Sequence, residues 1–311
     1  MSIKGIASMK MIVAMMIVGG FVALNKVVSA SLPIFLFSEL RLSLAAIILM
    51  VIVIIKEKKL TLPNKKDAGI LFIQALLGVF LFSIFLLLGS KYTSAIESGI
   101  ITSLTPSFVA LISLIFFKER LRLNNVIGIA IALVGVLMIN IFGMNGDIQV
   151  TFHSIIGNLF ILLAVMGESF FVTLGKLVSK TISPLMISCT VIFIGSVLCL
   201  PFAIYEGMTF DFSQVTVIDL FLLLYSGIAV SVIAVLLINQ SNKILSGGAT
   251  AVFTAIMPVS AISVSCLLLG EKIQWYHSIG ISCVLFSIIL VSINKESIFK
   301  KTIKYAKVPV K

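Results

Sequence analysis

Long apolar runs alternate with short polar stretches from near the N-terminus almost to the C-terminus. Bounded by charged or turn residues, the runs fall near 8–26, 33–55, 68–90, 94–117, 124–142, 154–175, 184–205, 217–240, 247–269 and 276–293. Their lengths match the roughly 17–25 residues with which an α-helix crosses a hydrocarbon core about 30 Å thick. The pattern predicts an all-α membrane protein of ten transmembrane helices. The first run follows Lys4 and Lys10 as a signal peptide would, but no clear small-x-small cleavage site precedes the second run, so it reads as a retained helix.

Composition narrows the class further. Apolar residues make up 60% of the chain and charged residues 11%, which excludes a soluble domain, since water would face continuous apolar surface. The four cysteines, Cys189, Cys199, Cys266 and Cys283, lie inside apolar runs without metal-ligand spacing, so neither a disulfide nor a metal is expected. A net charge of +11 would suggest nucleic acid in a soluble protein, but the basic residues gather between spans and in the tail. On alternate loops, 19 Lys and Arg fall on one side, among them Lys56 to Lys66 and the tail from Lys295, against three, Lys26, Lys91 and Lys272, on the other. The positive side stays cytoplasmic, which predicts both termini inside and a tail drawn to anionic lipid, with no nucleic-acid partner.

The chain also repeats itself. Pro106 and Pro258, Glu119 and Glu271, Gly128 and Gly280, Thr102 and Thr254, Ser94 and Ser246, and Lys91 and Lys243 are each 152 residues apart. Earlier in each half, Phe21-Val22-x-Leu24-x-Lys26 matches Phe171-Val172-x-Leu174-x-Lys176 at an offset of 150, and Pro33 matches Pro184 at 151. Constant offsets over so many positions mark a duplication. With five helices per half, the second half must enter the membrane from the opposite face. The expected organisation is a first five-helix repeat over 1–142, an extracellular linker over 143–153, an inverted second repeat over 154–293 and a basic cytoplasmic tail over 294–311. Inverted repeats are a common architecture of secondary transporters, with the substrate site near mid-membrane where the halves meet.

These residues resemble the EamA family of the drug/metabolite transporter superfamily. Thr105-Pro106 through Phe117-Lys118-Glu119-Arg120-Leu121, and Met257-Pro258 through Leu269-Gly270-Glu271, look like the family's proline in the fourth helix of each half with an acid at its end. Lys91-Tyr92-Thr93-Ser94-Ala95 resembles its run into the fourth helix, while Ile17-Val18-Gly19-Gly20 lacks the tryptophan often seen before the glycine. The resemblance implies a permease, usually an exporter, of amino acids or related metabolites. A multidrug exporter or lipid-linked sugar flippase of the same superfamily is the alternative.

Charge within a span costs about 2.5–3.5 kcal/mol on insertion scales, so the few cases stand out. Glu168 lies in the sixth span and its repeat counterpart, near Val18 or Gly19, is not acidic; it is a candidate to line the cavity or carry a coupling proton, or else a neutral acid bonded between helices. Glu39 and Arg41, two residues apart in the second span, point about 200° from one another and cannot simply pair. Arg41 resembles an arginine common here in the family, where it attracts a substrate carboxylate or braces helices, and Glu39 reads as its neighbour through another helix. Glu97, one turn into the fourth span, is a candidate for the outer mouth. Gln74, Asn158, Tyr225, Asn239 and Gln240 offer neutral hydrogen bonds, which more often hold helices together than bind ligand.

Pro106 and Pro258 each free a backbone carbonyl and predict a kink or hinge. Glu119 and Glu271, roughly 20 Å further along, fall at opposite interfaces, where a carboxylate can satisfy the positive end of the following helix or act in a gate. No Walker loop occurs, so a proton gradient or the substrate's own gradient would drive transport. A membrane-embedded enzyme finds little support: His153 and His277 lie at loop edges and no His-Glu-x-x-His motif is present. No cofactor is expected, the partners being a small-molecule substrate and the bilayer. Two inverted halves make a complete pathway, so a monomer would suffice, although the sequence leaves the oligomeric state open.

Overall fold

In a computed structural model of the chain, the described residues are 3–57, 63–117, 152–179, 181–245 and 256–292, with Ile127, Ala130, Ile131, Val134, Thr250, Phe253 and Thr254 between them. The helices are α1 (Ile3–Ser31), α2 (Ile34–Lys56), α3 (Lys65–Tyr92), α4 (Ala95–Thr102), α5 (Thr105–Phe117), α6 (Phe152–Leu174), α7 (Pro184–Thr209), α8 (Val217–Asn242), α9 (Ile256–Leu268) and α10 (Trp275–Ser292). No strand occurs among the described residues. Six of the helices, α1, α2, α3, α6, α7 and α8, are long and apolar enough to cross a membrane. Side chains such as Ile55, Phe221 and Val217 remain exposed on them, as lipid-facing residues should. The fifth predicted span apart from Ile127, Ala130, Ile131 and Val134, the 143–153 linker apart from its last two residues, Glu119, Gly128 and the tail lie outside the described residues.

Two expectations change. First, α1 runs well beyond 8–26 and takes Lys4, Lys10 and Lys26 into the helix. Lys10 Nζ reaches Gln240 Oε1 at 2.5 Å and Lys26 Nζ reaches Thr93 O at 2.6 Å, so the long stems carry their charges to polar partners without ending the helix. Second, the predicted fourth span is not one kinked helix. It breaks into α4 and α5 at Ser103 and Leu104, and Pro106 stands in the first turn of α5. A proline there sacrifices no helical hydrogen bond, so it starts a helix where a kink was expected.

The long helices pair across the halves. α2 and α7 are antiparallel: Glu206, near the end of α7, accepts the N–H groups of Phe35 and Leu36 at the start of α2, both at 2.8 Å. At the other end, Ser183, the N-cap of α7, donates to Glu57 just past the end of α2. α3 and α6 are also antiparallel and packed through glycine. A Cβ on Gly78 would lie 2.2 Å from Phe171 Cβ, and one on Gly167 would lie 2.4 Å from Leu77 O. α1 and α8 do the same, with Ser241 Oγ donating to Ala7 O at 2.9 Å and Tyr225 Oη to Ile17 O at 2.8 Å. By the sequence offset α1 corresponds to α6 and α3 to α8, so these last two pairings are one contact made twice.

Both α3 and α8 widen into π-helical turns, over Leu76–Leu81 and Tyr225–Ala234, which overlap when shifted by 152. Wide turns loosen the carbonyl ladder, and serines take up the slack: Ser83 Oγ donates to Val79 O and Ser231 Oγ to Ser226 O. The helix starts repeat as well. Asn64 caps α3 by accepting Asp67 N–H at 2.8 Å, and Thr216 caps α8 by accepting Asp219 N–H at 3.2 Å.

Candidate functional site

Arg41, on α2, reaches both helices that carry a wide turn. The residue is 3% exposed, and its guanidinium donates to Ser83 Oγ of α3 and, at 2.7 Å, to Ser231 Oγ of α8. The carbon of its guanidinium lies 5.1 Å from the centroid of the Phe21 ring on α1. Its Nε is buried without a partner. Arg41 therefore joins helices of both halves, and hydroxyls rather than a carboxylate receive its hydrogen bonds. A desolvated cation held in this way attracts an anion strongly, because little water screens it.

Glu39 faces the other way, into the α2–α7 seam. Its Oε1 accepts from Ser43 Oγ and, at 2.8 Å, from Ser196 Oγ, while Oε2 is buried without a partner. Its hydrogen-bond partners are none of those of Arg41, so the expected link through another helix is not made among the described residues. A lateral groove of about 360 Å³ opens beside it between α2 and α7, lined by Ser43, Ala46, Met50 and Phe193.

Glu168 is buried on α6 at the break between α4 and α5. Thr105 Oγ1, at the start of α5, donates to its Oε2 at 3.2 Å, and the neighbouring Ser169 Oγ donates to Val165 O and weakly to Thr105 O at 3.5 Å. The structure thus separates the three charged candidates: Arg41 between α3 and α8, Glu39 against α7, and Glu168 against the broken helix.

The remaining candidates hold helix ends or helix pairs. Glu97 forms a capping box with Ser94 and accepts from Thr93 Oγ1, which also bonds Asn158 Oδ1 at 2.6 Å. Tyr225 is tied to Ile17 O. Gln74 Nε2 donates to Phe171 O at 3.0 Å and Asn239 Nδ2 to Ser188 Oγ at 3.0 Å. Glu271 caps a helix, but not the following one: its carboxylate accepts Ala95 N–H at 3.0 Å and Ile96 N–H at 2.8 Å, at the start of α4 in the other half. Gly270, at φ +66°, turns the chain sharply after α9 and brings the acid there. Pro258 is buried in the first turn of α9.

Several residues escaped the sequence reading. Asp67 and Asp219, both buried, accept from the ends of repeat-related helices: Asp67 Oδ1 from Ser179 N–H, just after α6, at 3.0 Å and Asp219 Oδ1 from Ser31 Oγ, the last residue of α1, at 2.6 Å. Their spacing of 152 was the available signal. Glu206, Ser83 and Ser231 carried none, because only the folding of distant helices gives them partners.

Two further cavities lie at repeat-related places. One, of about 500 Å³, is lined by Lys26, Ser31, Pro33 and Lys91; the other, of about 740 Å³, by Lys10, Ser183, Pro184 and Lys243. Each presents two lysines, of which Lys91 and Lys243 are repeat counterparts, while Lys10 reaches the second cavity from the first half.

The pattern of the EamA-like transporter family matches residues 5–141 and again 155–293. The uncharacterized transporter YetK of Bacillus subtilis (strain 168) is 39% identical over 283 residues, covering 91% of this chain and 86% of the relative. The uncharacterized transporter YyaM of the same organism is 25% identical over 252 residues, covering 81% and 82%. A solved crystal structure superposes with a TM-score of 0.68 at 15% identity, covering 92% of this chain and 98% of that one, a likeness of fold.

Proposed function

We propose that this chain, which belongs to the EamA-like transporter family, is a secondary carrier that exports a small carboxylate-bearing metabolite, an amino acid or a relative of one, by alternating access. It is a multi-pass membrane protein of the bacterial plasma membrane. The observation that carries the substrate reading is Arg41, a buried cation whose hydrogen bonds among the described residues go to hydroxyls of helices from both halves. A substrate carboxylate is the counter-charge that such a site lacks. Paired lysines in the cavity at each end supply an electrostatic approach and exit.

In this reading ten helices form two inverted five-helix repeats with both termini cytoplasmic. The antiparallel run of α2 against α7 and the doubled pairing of α1 with α8 and α3 with α6 support it. Glu168, set against the helix break before Pro106, carries the coupling proton; Pro106 and Pro258 sit at the ends of helix segments that rocking would displace. Glu271 latches one face by holding the start of α4. One monomer supplies the pathway, and neither nucleic acid nor a cofactor takes part.

Labelled amino acids in proteoliposomes, with and without a pH gradient, test this. Gradient-driven flux that Glu168→Gln abolishes and that Arg41→Gln shifts to much higher substrate concentration is the expected result. A panel in which nothing moves would sink the amino-acid reading. The lateral groove between α2 and α7 favours a second reading, a substrate with an apolar tail such as a drug or lipid-linked sugar, because it gives such a tail a way in from the bilayer.

A further inference from the structure

The charged group that the proposed transport cycle leaves unused is Glu39, 7% exposed on α2. Among the described residues its carboxylate is held by hydroxyls alone: Oε1 accepts from Ser43 Oγ of the same helix and, at 2.8 Å, from Ser196 Oγ of α7, while Oε2 accepts nothing. Arg41, two residues on, turns instead to α3 and α8. An acid without a cation is expensive inside a span, so it marks a place with a use. The packing of the seam does not ask for it. At the offset of 151 that relates Pro33 to Pro184, Glu39, Ser43 and Ser196 answer to Thr190, Ile194 and Ala45, and the same two helices pack there without a charge.

Ser43 and Ser196 both line the groove of about 360 Å³ that opens sideways between α2 and α7, and their oxygens stand 3.2 Å apart. Each hydroxyl has one proton, and both protons go to the carboxylate, so lone pairs are what the serines can offer an occupant. The occupant must therefore donate at this end, and a cation gains further from the negative charge one hydrogen bond behind the serines. Two acceptors side by side favour a group with several N–H bonds. Past the serines the wall is apolar, formed by Ala46 and Met50 of α2 and Phe193 of α7, with Met50 and Phe193 exposed in it. A thioether and a ring suit an alkyl or aryl body. Ser43 lies about 14 Å along α2, near the middle of a helix of 23 residues. A phospholipid keeps its charged head at the bilayer surface, so the occupant is a smaller molecule that leaves the lipid for the groove. The volume agrees, lying at the lower end of the range of about 300–1,000 Å³ for ligand pockets.

We propose that the groove between α2 and α7 binds a small lipophilic primary amine in its ammonium form, with its N–H groups on Ser43 and Ser196 in front of Glu39 and its apolar body against Met50 and Phe193. Whether the amine is cargo rests on the second transport reading above; its binding rests on neither reading. The test is photolabelling of the purified full-length protein in phosphatidylcholine vesicles with phenylbutylamine that carries a diazirine on its ring, followed by mapping of the labelled peptides. Label should fall on α2 and α7 beside the groove. Unlabelled phenylbutylamine should displace it at a concentration about tenfold lower than either its trimethylammonium analogue, which keeps the charge and lacks the donors, or phenylbutanol, which lacks the charge. Glu39→Gln should raise the displacing concentration of the amine about tenfold. Ser43→Ala, at a half-buried position, should raise it about threefold and carries the test if the glutamine variant does not fold. Label confined to other helices overturns the proposal, as does equal displacement by all three compounds or displacement that neither variant alters. Because no flux is read, an inert transport panel leaves this result standing.

Discussion

Two helix crossings that the repeat makes equivalent have become opposites. In one, α6 crosses the start of α5, and Ser169 faces Thr105 O across 3.5 Å with Glu168 beside it. In the other, α1 crosses the start of α9, and the residue in the place of Ser169 is Gly19, so close that a Cβ would lie 2.3 Å from Met257 O and 2.7 Å from Ser260 Cβ. The first crossing is polar, ionisable and set beside a broken helix. The second is tight, with Ser260 Oγ bonded to Met16 O at 2.8 Å and Tyr225 held over the next turn. One ancestral contact has thus been divided between a position that can change state and one that holds its helices together. The same asymmetry places a buried acid, Glu168, at the first crossing and glycine at the second.

Substitutions should separate the two crossings. The largest effect on stability is expected for Gly19→Ala, which drives a methyl group into a backbone carbonyl that cannot rotate away. We expect about 3 kcal/mol of destabilisation or loss of folded protein in a detergent melt, against less than about 1 kcal/mol for Ser169→Ala. Similar losses for both would erase the distinction. Next, Arg41→Gln should raise the substrate concentration for half-maximal flux about 30-fold or more, and Arg41→Lys should rescue it only in part, since an ammonium cannot span Ser83 and Ser231 as a fork does. Glu168→Gln should keep its fold within about 1 kcal/mol and lose gradient-driven accumulation while retaining exchange. Loss of exchange as well would make the acid a substrate or packing residue. Smallest is Tyr225→Phe, expected to cost about 1 kcal/mol for its bond to Ile17 O and to leave flux unchanged; a changed substrate preference would move Tyr225 into the pathway.

Much of this was readable from the chain because lipid makes hydropathy a direct report of helix length, and because duplication leaves paired residues at constant offsets. Arg41 and Glu168 stand out for the same reason, since charge is rare where it is expensive. What failed was local and geometric. Pro106 announces a disturbance without saying that the helix stops at Ser103, before the ring. The wide turns around Gly78 and Gly227 leave no periodic mark in a helix apolar on most faces. Partners such as Ser231 for Arg41, or Ala95 for Glu271, are ordinary residues made important only by the crossing of distant helices.

The reciprocal caps between α2 and α7 constrain how the protein can move. Glu206 grips the start of α2 at one face and Glu57 the start of α7 at the other. Sliding the helices past one another in either direction would part both grips at once, whereas rotation about the seam strains them little. In the rocking proposed above, such a pair, fastened at both ends, would serve as the axle.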